Sequence, residues 1–233
     1  MKIGTGLILC AGFGKRVAPL TDKTPKPLLK IKNNVLLEKS INFLEKCGIN
    51  KIKINTHYLA QEIENFIRAQ NYKIKIEISY ENEILDTGGG IKNLIKNEVG
   101  ENFLVLNPDT IWNDKYLDEV VQMKNLFFKN NLNNILLLVK KSNSFDKRFN
   151  GDFDLNENLI SNKSKNYIFT GCQIVNKKIF SKLNKDKFSM NEIWYENIKN
   201  GQLYGYESLN EFLHVTDLEL SLIHISEPTR QLQ

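Results

Sequence analysis

Apolar residues recur along this chain with two alternating periods. Residues 5–10 form a short apolar run that ends at Ala11-Gly12, the pattern of a buried strand meeting a turn. Over 35–47, Leu36, Leu37, Ser40, Ile41 and Leu44 share one side at helical spacing, and Gly48 offers a C-terminal stop. Residues 51–56 alternate Ile52 and Ile54 with polar neighbours, which predicts a strand. Ile63, Phe66 and Ile67 make a helical stripe over 60–69, and Ile74, Ile76 and Ile78 then alternate as a third strand. A fourth strand is expected over 102–106 and a helix over 115–128.

Strand and helix in alternation imply a parallel sheet covered on both faces, because parallel neighbours need crossover connections. Those crossovers should be right-handed, and ligands should sit beyond the carboxyl ends of the strands. The second half is less regular. Strands are expected over 134–140, 167–176, 203–207 and 212–215, with a hairpin over 152–160 turning at Asn156-Glu157-Asn158. A short helix is expected over 177–183, and another over 190–200 closed by Gly201. Neither a repeat nor a linker divides the chain, so a single domain over 1–220 is expected. Residues 221–233 continue neither period and read as a non-native tail.

The composition fits this picture and narrows it. At 233 residues, 41% hydrophobic and 25% charged, the chain can build an ordinary globular core without staples. The net charge of +5 is mild and the lysines are scattered, which argues against a nucleic-acid partner. Cys10, Cys47 and Cys172 have no paired or metal-ligand spacing, as in a reducing compartment. No signal peptide or membrane-length apolar run is visible, so a cytoplasmic protein is expected, with no membrane partner.

The chemistry concentrates at the end of the first strand. Gly12 and Gly14 allow close approach of a ligand to the backbone, and Lys15 and Arg16 follow at once with positive charge. Backbone amides in such a loop form a concavity suited to phosphate oxygens. Lys26 stands between Pro25 and Pro27, a movable charge on a stiffened backbone. The spacing of a P-loop is absent. Gly88-Gly89-Gly90, between a strand and a helix, is costly in backbone entropy. Either a flat base approaches the backbone there, or the segment is a flexible turn. Asp109 follows a hydrophobic strand where a carboxylate would suit Mg²⁺ beside substrate phosphates, or it caps the next helix.

The string Gly12-Phe13-Gly14-Lys15-Arg16, Pro19-Leu20-Thr21, Pro25-Lys26-Pro27 resembles the signature of the sugar-1-phosphate nucleotidyltransferases. The resemblance runs on through Asn55-Thr56-His57-Tyr58-Leu59, 85–91 and Asn107-Pro108-Asp109, where the family has Asn-Gly-Asp, to about Glu219. It implies a Rossmann-like three-layer α/β/α nucleotidyltransferase fold with a mixed, mostly parallel central sheet. It implies transfer of a nucleotidyl group from a nucleoside triphosphate to a sugar 1-phosphate, with Mg²⁺ as cofactor. Arg16, Lys26 and Asp109 would be catalytic, and Asp109 would carry the metal. Ala11, Gly12, Gly14, Lys15, Asp86, Thr87, Gly88 and Gly89 would bind the nucleotide; Asn107, Gly151, Thr170 and Gly171 would bind the sugar. Within the family, the Asp86-Thr87-Gly88-Gly89-Gly90 form, 151–155 and 167–171 look most like the branch that joins UTP to N-acetylmuramic acid 1-phosphate. A guanylyltransferase for mannose 1-phosphate is the alternative within the fold, and a nucleotide-binding regulatory module that has lost turnover is the alternative outside it. The enzyme would be a monomer or homodimer.

One departure stands out. The family carries a second metal-binding Asp in a Trp-x-Asp motif near its C-terminus, and here His214 occupies that place, with Asp217 three residues on. Imidazole is a poor ligand for Mg²⁺. Either Asp217 or His214 makes the second contact, or Asp109 and the phosphates hold the metal alone, or activity is reduced.

Overall fold

The computed structural model describes residues 2–31 and 33–217. The elements run β1 (Thr5–Leu9), a small hairpin β2 (Lys30–Ile31) and β3 (Asn34–Val35), α1 (Leu36–Lys46), β4 (Lys51–Thr56), α2 (Ala60–Ala69) and β5 (Lys75–Tyr80). They continue α3 (Asp86–Ile95), β6 (Asn102–Leu106), α4 (Tyr116–Lys129), β7 (Asn134–Lys140), β8 (Asp154–Asn156), β9 (Leu159–Ser161), β10 (Tyr167–Asn176), α5 (Met190–Lys199) and β11 (Tyr204–Ser208). A nine-stranded sheet takes the order β5-β4-β1-β6-β10-β7-β11-β9-β8. β5, β4, β1 and β6 are parallel, and β10 is inserted antiparallel between β6 and β7.

The alternation of side chains divides two cores between the faces of the sheet. Ile8, Leu104, Leu106, Ile135 and Leu137 face α1, α2 and α4. Their neighbours Leu7, Phe103, Val105, Leu136 and Leu138 face α3 and α5. Strands apolar on both faces mark the centre of a three-layer α/β/α sandwich. Among the described residues no helix is long and apolar enough to cross a membrane.

Three expectations are corrected. The triple glycine lies inside the first turns of α3 rather than before a helix. Residues 212–215 form isolated bridges, Ser144 with Phe212 and Thr110 with His214, rather than a strand of the sheet. The helix expected over 177–183 is a 3-10 turn, Lys177–Phe180. The tail over 221–233 lies outside the described residues.

The chain leaves β1 toward β4 on one side and returns to β6 on the other. The loops after β1 and β6 therefore diverge at a topological switch point, where open α/β sheets leave a crevice.

Candidate active site

A cavity of about 420 Å³ opens at this switch point. Ala11, Gly12, Gly14, Lys15 and Arg16 line it from the loop after β1, Lys26 from the next turn, and Asn107 and Asp109 from the loop after β6. Asp86 and Thr87 reach it from the start of α3. The expected phosphate loop, the two expected cationic side chains and the expected metal carboxylate thus share one hollow. A second hollow of about 900 Å³ lies beyond α3, between Lys92 and Lys178, and none of the three expected catalytic residues lines it.

Local geometry explains why the sequence folds this way here. Gly14 adopts φ 66°, and a Cβ on it would press Lys26 Cβ and Thr21 Cγ2 at 3.0 Å each. Glycine therefore lets the phosphate loop lie directly on the turn that carries Lys26. Thr21 Oγ1 donates to the Gly14 carbonyl at 3.1 Å and closes the loop. Behind it, Cys10 N donates to Asn55 Oδ1 at 2.8 Å, and Asn55 Nδ2 donates to Glu81 Oε1 at 2.7 Å. Glu81 Oε2 accepts from Leu85 N at 3.0 Å, so three strand ends and the approach to α3 are tied together. Asn55 and Glu81 line the cavity and were assigned no role from sequence. Polar residues at the carboxyl ends of β4 and β5 were the available signal. Burial pushes the Cys10 thiol up, with the Asp109 charge adding to it, so Cys10 is no nucleophile.

Asp109 is the electrostatic centre. Lys26 Nζ lies 2.6 Å from its Oδ2, and His214 Nε2 lies 3.1 Å from its Oδ1. Burial alone would raise the Asp109 carboxyl, but the His214 ring and Lys26 ammonium together hold it well below the usual carboxylate range. Asp109 does not cap a helix, since α4 starts at Tyr116 with Lys115 as its N-cap. His214 reaches it because the 212–215 segment is stitched to the loop after β6: Val215 N donates to Asp109 O and Ile111 N to Leu213 O, both at 2.9 Å. The ring is fixed by Phe212, stacked at 5.6 Å, and by a 2.9 Å contact from Nδ1 to Thr216 Oγ1. Asp217 instead meets Arg148 at 2.7 Å. Of the two side chains considered for a second metal contact, the structure brings His214, not Asp217, to Asp109.

The chemistry of this donor set suits one hard cation. His214 Nε2 is within ion-pair range of Asp109 Oδ1, yet that buried oxygen accepts no well-formed hydrogen bond. An orphaned carboxylate oxygen is costly unless something else meets it. One carboxylate is also a common protein share of a Mg²⁺ site whose other ligands are phosphates and water. Among the described residues no group of three metal-ligating side chains converges.

The other expected residues stand elsewhere. A Cβ on Gly88 would lie 2.4 Å from the Phe188 ring, and one on Gly89 only 2.1 Å from the Asp186 carbonyl oxygen. Both backbone amides donate to Phe188 O at 3.0 Å. Close packing of α3 against the 186–188 segment, not open backbone facing a base, therefore accounts for these glycines. Thr170 is buried, donates to Leu137 O at 2.9 Å and accepts from Cys172 N at 3.4 Å. Gly171, at φ 87°, lets β10 pass Asn107, whose Cβ would lie 2.9 Å from an added Cβ. Gly151, at φ 78°, abuts the Lys165 carbonyl. None of Gly88, Gly89, Gly151, Thr170 and Gly171 lines the cavity.

Comparison with known proteins agrees with this geometry. The family model described as Nucleotidyl transferase matches residues 5–144. A D-glycero-alpha-D-manno-heptose 1-phosphate guanylyltransferase of Campylobacter jejuni is 31% identical, over 83% of this chain and 86% of its own length. An N-acetylmuramate alpha-1-phosphate uridylyltransferase of Caulobacter vibrioides is 27% identical over 93% of both. The crystal structure of HddC from Yersinia pseudotuberculosis complexed with GMP-PN shares the fold, with TM-score 0.76 and 23% identity over 96% of this chain and 98% of that one. This chain belongs to the nucleotidyl transferase family and is an enzyme of its sugar-1-phosphate type.

Proposed function

We propose that the protein condenses a nucleoside triphosphate with a sugar 1-phosphate to give a nucleotide sugar and pyrophosphate. The observation that carries this reading is the convergence of Arg16, Lys26 and Asp109 on the glycine-lined cavity at the switch point. An oxygen of the sugar phosphate attacks the α-phosphorus in line; the new P–O bond forms as the bond to pyrophosphate breaks. A phosphate monoester is already a competent nucleophile, so no general base is needed. Catalysis then consists of positioning and charge neutralisation. The loop amides and Arg16 hold the outer phosphates, and Lys26 steadies the reacting phosphoryl group. Asn107 orients the sugar side. Asp109 would hold Mg²⁺, which supplies further neutralisation of phosphate charge when bound.

For the substrates, the Asp86–Gly90 and 151–155 motifs support UTP with N-acetylmuramic acid 1-phosphate, in the cytoplasm. The 31% identity to a heptose-phosphate guanylyltransferase favours a second reading, GTP with a manno-heptose 1-phosphate. Pyrophosphate release from purified protein, with UTP, GTP, CTP and dTTP against both sugar phosphates, separates the two. Nucleotide binding by calorimetry without turnover on any pair would discard the enzyme reading in favour of a binding module.

A further inference from the structure

The Lys26–Asp109 pair bears on the order in which metal and nucleotide join the site, an inference that rests on the nucleotidyl-transfer reading. Asp109 is the carboxylate of this cavity that meets Lys26, and its Oδ2 is already taken by Lys26 Nζ at 2.6 Å. We propose that Lys26 is a latch. Its ammonium occupies Asp109 in the ligand-free protein, and the triphosphate must draw it away before a divalent cation can be held there.

Three observations support the latch. The pair is largely removed from solvent, with the side chains 13% and 19% exposed, so the contact is screened far less than a surface ion pair. A charge-assisted bond of this length is strong, and a dication entering at Asp109 would meet the ammonium at close range. Mg²⁺ gives up its own water reluctantly and would not displace the ammonium unaided. Finally, Lys26 Cβ lies under Gly14, so its side chain stands at the foot of the phosphate loop. A triphosphate in that loop offers the ammonium several anionic oxygens within reach of a side-chain rotation, while Pro25 and Pro27 keep the backbone still. Once the ammonium turns, Oδ2 becomes free, and Oδ1 already lacks a hydrogen-bond donor. His214, held by its stacking on Phe212, stays in place throughout. Cation and nucleotide then bind with positive coupling, each raising the affinity of the other by the same factor.

The test uses the full chain without nucleotide and reads Mn²⁺ binding by the electron paramagnetic resonance signal of the free ion. Wild-type protein should bind Mn²⁺ weakly. Lys26→Met, with its fold checked by circular dichroism, should bind it tighter by roughly tenfold or more, within the usual range of coupling between sites. Lys26→Arg should bind as weakly as wild type, and adding Asp109→Asn to Lys26→Met should erase the gain. Equal Mn²⁺ affinity in wild type and Lys26→Met would overturn the latch, as would a gain that survives Asp109→Asn. The two ideas fail separately. A gain in Mn²⁺ affinity with no turnover by the wild-type enzyme on any substrate pair would leave the latch standing and remove the nucleotidyl-transfer reading.

Discussion

The two halves of the sheet carry their functional signals differently. In the parallel half, β5-β4-β1-β6, the side chains singled out after β1 and β6 point into one cavity. Around β10 and β7, Thr170, Gly171 and Gly151 have a visible part in the fold: Thr170 ties β10 to β7, and Gly171 and Gly151 give way to neighbouring atoms. A charged side chain in a loop after a parallel strand is positioned by the topology itself. A glycine or threonine in an antiparallel insertion is more often there to let backbones meet. Motif membership is the same in both cases, but only the first kind places side chains on the cavity.

The strongest way to break this contrast is to alter the charged groups of the parallel half. Lys26→Ala should lower turnover at least about a hundredfold, roughly 3 kcal/mol of barrier. Asp109→Asn should do no less. Initial rates of pyrophosphate release measure both, and wild-type rates in either variant would remove that residue from the catalytic role. His214→Asp addresses the edge where the halves meet. A second carboxylate beside Asp109 should lower the Mg²⁺ concentration for half-maximal rate by roughly tenfold, about 1.4 kcal/mol. An unchanged metal titration would mean that His214 stands clear of the ion.

Much of the fold was legible from local pattern: β4 falls where Ile52 and Ile54 alternate, and β6, β7 and β10 fall on the ranges expected for strands. The crossing of 212–215 was not legible as a crossing. Phe212, Leu213 and Val215 make a short apolar stretch that reads as a strand, yet the segment bridges two loops singly instead of joining the ladder. That bridging brings His214 to Asp109, a contact between residues 105 positions apart that no local pattern encodes. Asn55 and Glu81 escaped assignment for a related reason. Their importance lies in a hydrogen-bonded relay across three strand ends, and the sequence shows only isolated polar residues.

Glycines sharpen the comparison by stability rather than rate. Gly89→Ala would drive a methyl group into the Asp186 carbonyl, and backbone cannot swing aside as a side chain can. A loss of about 1–3 kcal/mol is expected from such overpacking, visible as a lower melting temperature. Gly12→Ala meets nothing within 4 Å. It should leave the melting temperature alone and raise only the KM for nucleotide. If the two variants exchange phenotypes, the packing account of α3 is wrong.

The smallest effect separates the halves by their charges. At the far end of the parallel strands, Lys51 and Lys53 both meet Glu98, at 2.9 and 3.0 Å, and Lys51 also meets Glu77 at 3.1 Å. Burial pushes the Glu98 carboxyl up, but hydrogen bonds from Lys51 and Lys53 outweigh it and leave the group below its ordinary value. A carboxyl depressed by folding stabilises the native state above its unfolded value, about 4.3, and that contribution is lost as pH falls through the lower folded value. Glu98→Gln should therefore cost only about 0.2–1 kcal/mol at neutral pH, the range of partly exposed ion pairs. The difference from wild type should shrink in acid and in high salt, since both remove what the substitution removes. Denaturant midpoints at neutral and acid pH would show it. A cost that persists unchanged at the acid end would mean that Glu98 acts through packing of its chain, and that the ion pairs at this edge contribute nothing measurable.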